Sequence, residues 1–455
     1  MTTTIEQALV GGGTARLVVN DVEWPAESLL GAGIRLAGEI SRRFGDVRML
    51  TTSTADAALI VAAVTAAGRL GVPMLLRDPA ATGTFDAADV LIGDRPPGDP
   101  VLLGESLGCH LEQLATARPV PLPGGSILFQ TSGSTAAPKA VVKPVDAVLR
   151  DAARIATALH GEGASDPVVC AAPVFHSYGF THGLLAGLLA GAETTYRPPS
   201  SLPQSLVKTV ASTGAGTLVA LPNHIHMIAD AGSLDFGGVR QVVSAGAPLR
   251  PDAVARICGG HGFRLLNAYG ASEVGTMAIS ALAGTSAPGS IGLPLAGVDL
   301  RIGPGEGELL ARNDSFATGY FTEGRLRPLP AEDGWYRTGD LAERDADGLR
   351  ITGRLGDLIN IAGRKTRRSR LEAVLSAHPD VAEVQVIVAE DAVRGEFPVA
   401  RAVVAPGRER PDLLGWSRTR LDAFEVPRQV EWVDRLPRTS TGKVSYARRR
   451  ADGDR

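Results

Sequence analysis

A chain of 455 residues exceeds what one hydrophobic core ordinarily supports, so at least two domains are expected, and a content of 44% hydrophobic and 21% charged residues is that of a globular protein. The formal net charge of -3 lacks the basic excess that tracks a phosphate backbone, which excludes nucleic acid as the expected partner. Three cysteines, Cys109, Cys170 and Cys258, stand far apart with no CxxC pair; they read as small buried apolar residues and not as a disulfide framework or a zinc site. The apolar stretch 57–67 is too short to span a bilayer and no basic-then-apolar leader is seen, so a cytoplasmic protein without membrane contact is expected.

In chain order, residues 55–70 are apolar on most faces, helical in propensity and followed by Gly71-Val72-Pro73, which predicts a buried helix. Short β-rich runs at 126–129, 168–172, 217–221 and 239–243 recur between glycine-rich turns and alternate with helical stretches such as 145–159. That alternation predicts an α/β fold with largely buried strands. From about Gly334 the chain turns to charged, short strands, and Arg354-Leu355-Gly356-Asp357 reads as a joint. Beyond it a helix is expected at 370–377, strands at 381–388 and 399–404, and a helix at 413–424. The expected organisation is a large N-terminal layered α/β domain, 1–354, and a smaller C-terminal α+β domain, 355–455.

The segment TSGSTAAPK, Thr131 to Lys139, directly follows the strand at 126–129. Hydroxyl residues and a glycine in a tight turn offer several N–H and O–H donors to one anion, and Lys139 adds charge, which suits a triphosphate. It is not the GxxxxGK[ST] loop, since residues 140–144 read as another strand; an ordinary Ser/Thr/Gly hairpin is the alternative reading. Six further motifs follow it in order: PVFHSYGF, SAGAPL, NAYGASE, GWYRTGDL, GRLGDLINIAGR and LPRTSTGK. Together they resemble the acyl-adenylate-forming superfamily of acyl-CoA synthetases, peptide-synthetase adenylation domains and luciferases.

The resemblance implies a reaction and a set of roles. Thr131, Ser132, Gly133, Ser134, Thr135 and Lys139 would surround the β- and γ-phosphates of ATP. Ser244, Ala245, Gly246, Ala247 and Pro248, with Asn267, Ala268, Tyr269 and Gly270, would hold adenine. Ser272 would reach the α-phosphate and Glu273 would bind Mg²⁺, a hard cation for which one carboxylate plus phosphates suffices. Asp340 would accept the ribose hydroxyls with Arg354 beside it, although such a pair is equally a structural salt bridge. Lys443, on a mobile small domain, would reach the acid's oxygen and the α-phosphate in the closed state. PVFHSYGF would open a helix lining the acid pocket, with Phe175, Tyr178 and Phe180 as apolar bodies and His176 and Ser177 polar, and His176 would gate the passage between acid and thiol; His182, His224 and His226 carry no assigned role.

The implied activity is activation of a small organic acid to acyl-AMP, followed by transfer to the thiol of CoA or of an acyl carrier protein. Several positions depart from the family pattern: Ala136 and Ala140 replace glycine, Gly356 stands at the hinge, and Asn360 replaces a lysine. The run 365–370 (KTRRSR) is either a contact for acidic phosphates or carrier protein, or a solvated basic face. Two other readings stand beside the thioligase. One activates nitrite with ATP to diazotise an aromatic amine in secondary metabolism; the other is a catalytically silent nucleotide-binding protein.

Overall fold

The structure is a computed structural model that describes residues 5–6, 15–81, 88–94, 101–104, 107–114, 122–131, 139–161, 166–232, 234–361, 364–391 and 395–437. Ser132, Gly133, Ser134, Thr135 and Lys443 lie outside the described residues, as does the side chain of Asn360. The chain divides into two compact units: Met1–Arg301 with Leu310–Thr338 and Arg344–Arg350, and Ile302–Leu309 with Gly339–Glu343 and Ile351–Arg455.

A six-stranded sheet draws its strands from both units, while two sheets lie wholly within the first unit. One has nine strands in the order Arg325–Arg327, Gly319–Thr322, Lys139–Pro144, Ser126–Thr131, Met74–Leu76, Leu50–Ser53, Val90–Gly93, Gly108–Gln113 and Val101–Leu102. The other has eight, in the order Gly275–Leu282, Arg264–Ala271, Gln241–Ala245, Thr217–Ala220, Val168–Cys170, Glu193–Tyr196, Arg16–Val19 and Val22–Pro25. Strands Val168–Cys170, Thr217–Ala220 and Gln241–Ala245 run parallel to both neighbours and are buried along their whole length, so they read in the sequence as apolar runs, while Arg264–Ala271 is parallel to Gln241–Ala245 and antiparallel to Gly275–Leu282. The strand expected at 239–243 is displaced to Gln241–Ala245, because its register is set by pairing Gln241 with Thr217 and Arg264.

The helix expected at 55–70 forms over Ala57–Leu70, with every residue from Ala57 to Ala67 buried. Asp56 caps it by accepting from the N–H groups of Ala58 and Leu59 at 2.8 and 3.0 Å, and Gly71 ends it in the left-handed conformation. It lies against the amphipathic helix Ala26–Phe44, where a side chain at Gly33 would overlap Thr65 at 2.5 Å. The 145–159 helix forms as Val145–His160. PVFHSYGF does open a helix, but the turns Gly179–Leu185 wind as a π-helix before an α-helical end at Ala186–Leu189.

The second unit holds a two-stranded pair, Leu358–Ile361 with Arg364–Arg367, and a three-stranded sheet of Val381–Asp391, Gly395–Val404 and Gln429–Trp432. Helix Arg368–Ser376 packs over a core of Leu371, Leu375, Val386, Ala400 and Leu413. The helix expected at 413–424 stops at Arg418. There the Thr419 hydroxyl and the Arg420 guanidinium both donate to the carbonyl of Trp416, while the Arg420 guanidinium also covers the Trp416 ring, which satisfies the helix end. Among the described residues no helix is long and apolar enough to cross a membrane.

Candidate active site

Thr131 and Lys139 are cross-strand partners at the end of the hairpin Ser126–Thr131/Lys139–Pro144, and the Thr131 hydroxyl donates to the Lys139 carbonyl at 3.2 Å. The pairing sets Thr131 and Lys139 side by side at the carboxyl end of Ser126–Thr131, a strand that runs parallel to Met74–Leu76 in the nine-stranded sheet. Ligands of open α/β sheets gather at such strand ends. The Lys139 ammonium lies 3.2 Å from the ring centroid of Tyr320, on the strand Gly319–Thr322 that pairs with Lys139–Pro144. Burial lowers the Lys139 pKa and the charge of Glu273 opposes that shift.

Glu273 sits on the tight turn between Arg264–Ala271 and Gly275–Leu282, where the Val274 N–H donates to the Ala271 carbonyl at 3.2 Å. The Tyr320 hydroxyl donates to its Oε1 at 2.8 Å. Two features shape that turn. Gly275 has φ +83°, and a side chain there would meet the Asp151 carboxylate at 2.5 Å; Asp151 in turn accepts from the Thr276 N–H at 2.9 Å. Asp151 is buried with Lys143, its Oδ2 4.0 Å from the ammonium, so a charged pair underlies the acidic turn. Burial lowers the Lys143 pKa, opposed by Asp151 and then Glu273.

Ser272 meets Ser177 of the PVFHSYGF segment, the two hydroxyls 2.7 Å apart. The segment is pinned there by Tyr178, whose hydroxyl donates to the carbonyls of Val243 and Ala220 at 2.8 and 3.1 Å. His176 is half-buried beside Phe175, ring centroids 4.8 Å apart. Ser244 and Ala245 are in register with Asn267 and Ala268 on the neighbouring parallel strand, and Gly246 follows with φ +98° before Ala247 and Pro248. The Ser244 hydroxyl is buried without a hydrogen-bond partner among the described residues. Asn267 donates to the Ser290 carbonyl at 3.1 Å, Tyr269 is half-buried, and a bulge separates Tyr269 from Gly270.

In the second unit Asp340 and Arg354 lie on the neighbouring strands Trp335–Asp345 and Gly348–Arg354 and form an ion pair at 2.6 Å, with Arg354 largely exposed. The first unit therefore brings together Thr131, Lys139, Glu273, Ser272 and the Ser177 segment, while Asp340 and Arg354 form a pair of their own. The other histidines have structural partners: His224 accepts from the Leu221 N–H at 3.1 Å and meets the Pro199 carbonyl at 2.9 Å, and His226 accepts from the Arg250 N–H at 3.2 Å. Cys109 and Cys170 are buried as expected, but Cys258 is only half-buried.

Sequence reading missed Tyr320, Lys143 and Asp151. The signal for Tyr320 was its place in ATGYF, which carries no charge to draw attention; Lys143 stood out only as a lysine inside an otherwise apolar strand. Among the described residues no three His, Cys, Asp or Glu side chains converge on one point. A Mg²⁺ ion at Glu273 would thus rest on one carboxylate, nucleotide phosphates and water, the ligand set that ion accepts, and the half-buried carboxylate with one oxygen held by Tyr320 fits it.

Family models match the chain twice: the AMP-binding enzyme model over residues 53–321, more than half of its length, and the AMP-binding enzyme C-terminal domain over 370–443. A feruloyl-CoA synthase of Amycolatopsis sp is 30% identical over 412 residues, covering 86% of this chain and 76% of the relative. The fold is shared with an amide bond synthetase from Marinactinospora thermotolerans, 23% identical with TM-score 0.76 and 97% of each chain covered. It is shared equally with an o-succinylbenzoate CoA synthetase from Bacillus subtilis in complex with its acyl-adenylate, 21% identical with TM-score 0.76 and 97% of each covered. With both family models and a relative of that similarity spanning most of it, the chain belongs to the AMP-binding enzymes, the superfamily of ATP-dependent, adenylate-forming ligases.

Proposed function

We propose that this ligase activates a small aromatic or aliphatic carboxylate with MgATP and transfers the acyl group to a thiol, that of CoA or of an acyl carrier protein. The observation that carries this reading is the 2.7 Å contact between Ser177 and Ser272. The acid and the α-phosphorus must meet for adenylation, and here the segment assigned to the acid touches the segment assigned to the α-phosphate. The CoA-ligase names of the relatives support a thiol acceptor, and nothing at the site favours nitrite activation or a silent binding role.

In this reading Thr131, Ser132, Gly133, Ser134, Thr135 and Lys139 hold the β- and γ-phosphates, and residues 244–248 and 267–270 hold adenine. Asp340 takes the ribose hydroxyls, with Arg354 orienting its carboxylate. Glu273 holds Mg²⁺, which supplies charge neutralisation on the phosphates. A carboxylate oxygen attacks the α-phosphorus, the bond to the bridging β-phosphate oxygen breaks, and pyrophosphate leaves with the electron pair. Lys443 neutralises charge as it grows at phosphorus, so its contribution is larger in the transition state than in the ground state. The C-terminal domain, 355–455, then turns about Leu355 and Gly356 relative to 1–354, withdrawing Lys443, and His176 opens the way for the thiol. Sulfur attacks the acyl carbon and AMP leaves. The absence of a nucleic-acid or membrane role and a cytoplasmic location belong to the same reading.

Acid-dependent exchange of pyrophosphate into ATP, run across aromatic and aliphatic acids, tests the first half; mass spectrometry of the products with and without CoA tests the second. Exchange with no acid at all, nitrite included, would remove the adenylation reading. Acyl-AMP that is consumed by an amine and ignores CoA would replace the thiol, and turnover with nitrite plus an aryl amine alone would replace the acid.

A further inference from the structure

Two opposite charges of the first unit, Lys139 and Glu273, are both held by a residue with no role so far. Tyr320 offers its ring face to the Lys139 ammonium at 3.2 Å from the centroid and its hydroxyl to Glu273 Oε1 at 2.8 Å. The hydroxyl also lies 3.5 Å from that of the buried Tyr336. Tyr320 reaches both charges because its strand, Gly319–Thr322, pairs with Lys139–Pro144, and because the Ala317 N–H donates to the Glu273 carbonyl at 2.7 Å. One short segment, residues 317–322, is thereby stitched to the lysine strand and to the acidic turn.

The charges sense one another, since Glu273 raises the Lys139 pKa against burial. Brought together directly in a half-buried site, a lysine and a glutamate would neutralise each other, and a metal–triphosphate would have to separate them before binding. Tyr320 gives each a different partner. A phenol donating to a carboxylate shifts electron density toward its oxygen and ring, which strengthens the hold of the ring on a cation, so the two contacts reinforce each other.

We propose that Tyr320 is a positioning residue that keeps Lys139 and Glu273 apart and aimed, so that the triphosphate and its Mg²⁺ find two separate, ready partners. The inference rests on the proposed roles of Lys139 and Glu273 in binding MgATP. It separates into two halves: the hydroxyl serves the metal side, and the ring serves the phosphate side.

The two halves are read with Tyr320→Phe and Tyr320→Leu, using calorimetric binding of a non-hydrolysable ATP analogue at a series of Mg²⁺ concentrations, together with pyrophosphate exchange. Circular dichroism establishes that each variant is folded. Tyr320→Phe keeps the ring and should raise the half-saturating Mg²⁺ concentration about tenfold, the scale of one hydrogen bond to a charged group, while affinity for Mg²⁺-free analogue stays within about twofold of wild type. Tyr320→Leu loses the ring as well and should also weaken Mg²⁺-free binding roughly threefold to tenfold, the scale of a cation–π contact. In exchange, both changes should appear in KM for MgATP more than in kcat. Wild-type Mg²⁺ dependence in Tyr320→Phe overturns the metal half; equal effects of Phe and Leu on both measurements overturn the division and leave a packing role. If wild-type protein binds no ATP analogue, the reading of the site itself fails, a result distinct from either outcome for the variants.

Discussion

At the scale of single residues, Glu273 and Lys443 make different demands on the experiment. Glu273→Gln keeps an oxygen to accept from Tyr320 and so preserves the local geometry while removing the charge that attracts a hard cation. Its Mg²⁺ requirement should rise roughly tenfold or more, measured as the half-saturating Mg²⁺ in exchange; a titration curve like that of wild type would remove Glu273 from the metal site. Lys443→Ala should lower exchange on the order of 10² to 10³ fold with ATP affinity nearly intact, because the lysine is assigned to charge that develops only during reaction. Thr131, Lys139, Ser272 and Glu273 were legible in the sequence because each sits inside a contiguous motif whose hydroxyls, glycines and charges suggest an anion. Tyr320 was not. It lies 47 positions from Glu273, and its role depends on a strand pairing that no local pattern encodes.

At the scale of elements, the helix at 55–70 and the buried strands could be read because composition alone marks a segment that is apolar all round or bounded by glycine. The π-helical turns Gly179–Leu185 could not, since the extra residue per turn is fixed by what surrounds them. Gly183 and Gly187 sit where a side chain would meet Cys170 and Thr194, and His182 is turned inward. Its Nδ1 lies 3.1 Å from the Thr181 hydroxyl and its Nε2 3.3 Å from that of Thr276, which ties the π-helix to the strand behind Glu273. Burial pushes the His182 pKa down to about 4, with Asp151 and the Tyr178 backbone opposing. The unfolded chain therefore takes up a proton near pH 6.5 that the folded one refuses, so stability is full above about 6.5 and is lost as pH falls toward about 4. His182→Gln should flatten the stability slope over that window by as much as ~1.4 kcal/mol per pH unit, measured by urea unfolding at stepped pH. Burial lowers His160 and His224 in the same direction, so part of the slope should persist. An unaltered slope in the variant would take His182 out of the account.

At the scale of the whole molecule, the α/β class followed from strands and helices alternating through the first three hundred residues. Pairings between distant segments, such as Arg16–Val19 beside Glu193–Tyr196, were beyond reach because register depends on partners far away in the chain. The proposed alternation between two half-reactions depends on the joint at Leu355–Asp357, a single 3₁₀ turn. Asp357 is committed there, accepting from the Ser369 N–H at 2.8 Å at the start of helix Arg368–Ser376. Gly356 is not: a side chain at that position would meet nothing within 4 Å. Gly356→Ala should fold and retain most turnover, which makes it the control for bulk. Gly356→Pro locks φ near -65°, a value a 3₁₀ turn already uses, so the resting fold should survive while any conformation needing a different φ becomes costly. Exchange needs only one arrangement of the joint, whereas formation of the thioester needs two. Gly356→Pro should therefore slow thioester formation at least about tenfold more than exchange, equivalent to ~1.4 kcal/mol on the barrier to rotation. Equal slowing of both would locate the damage in adenylation, and wild-type thioester formation in Gly356→Pro would show that the enzyme does not turn about this joint.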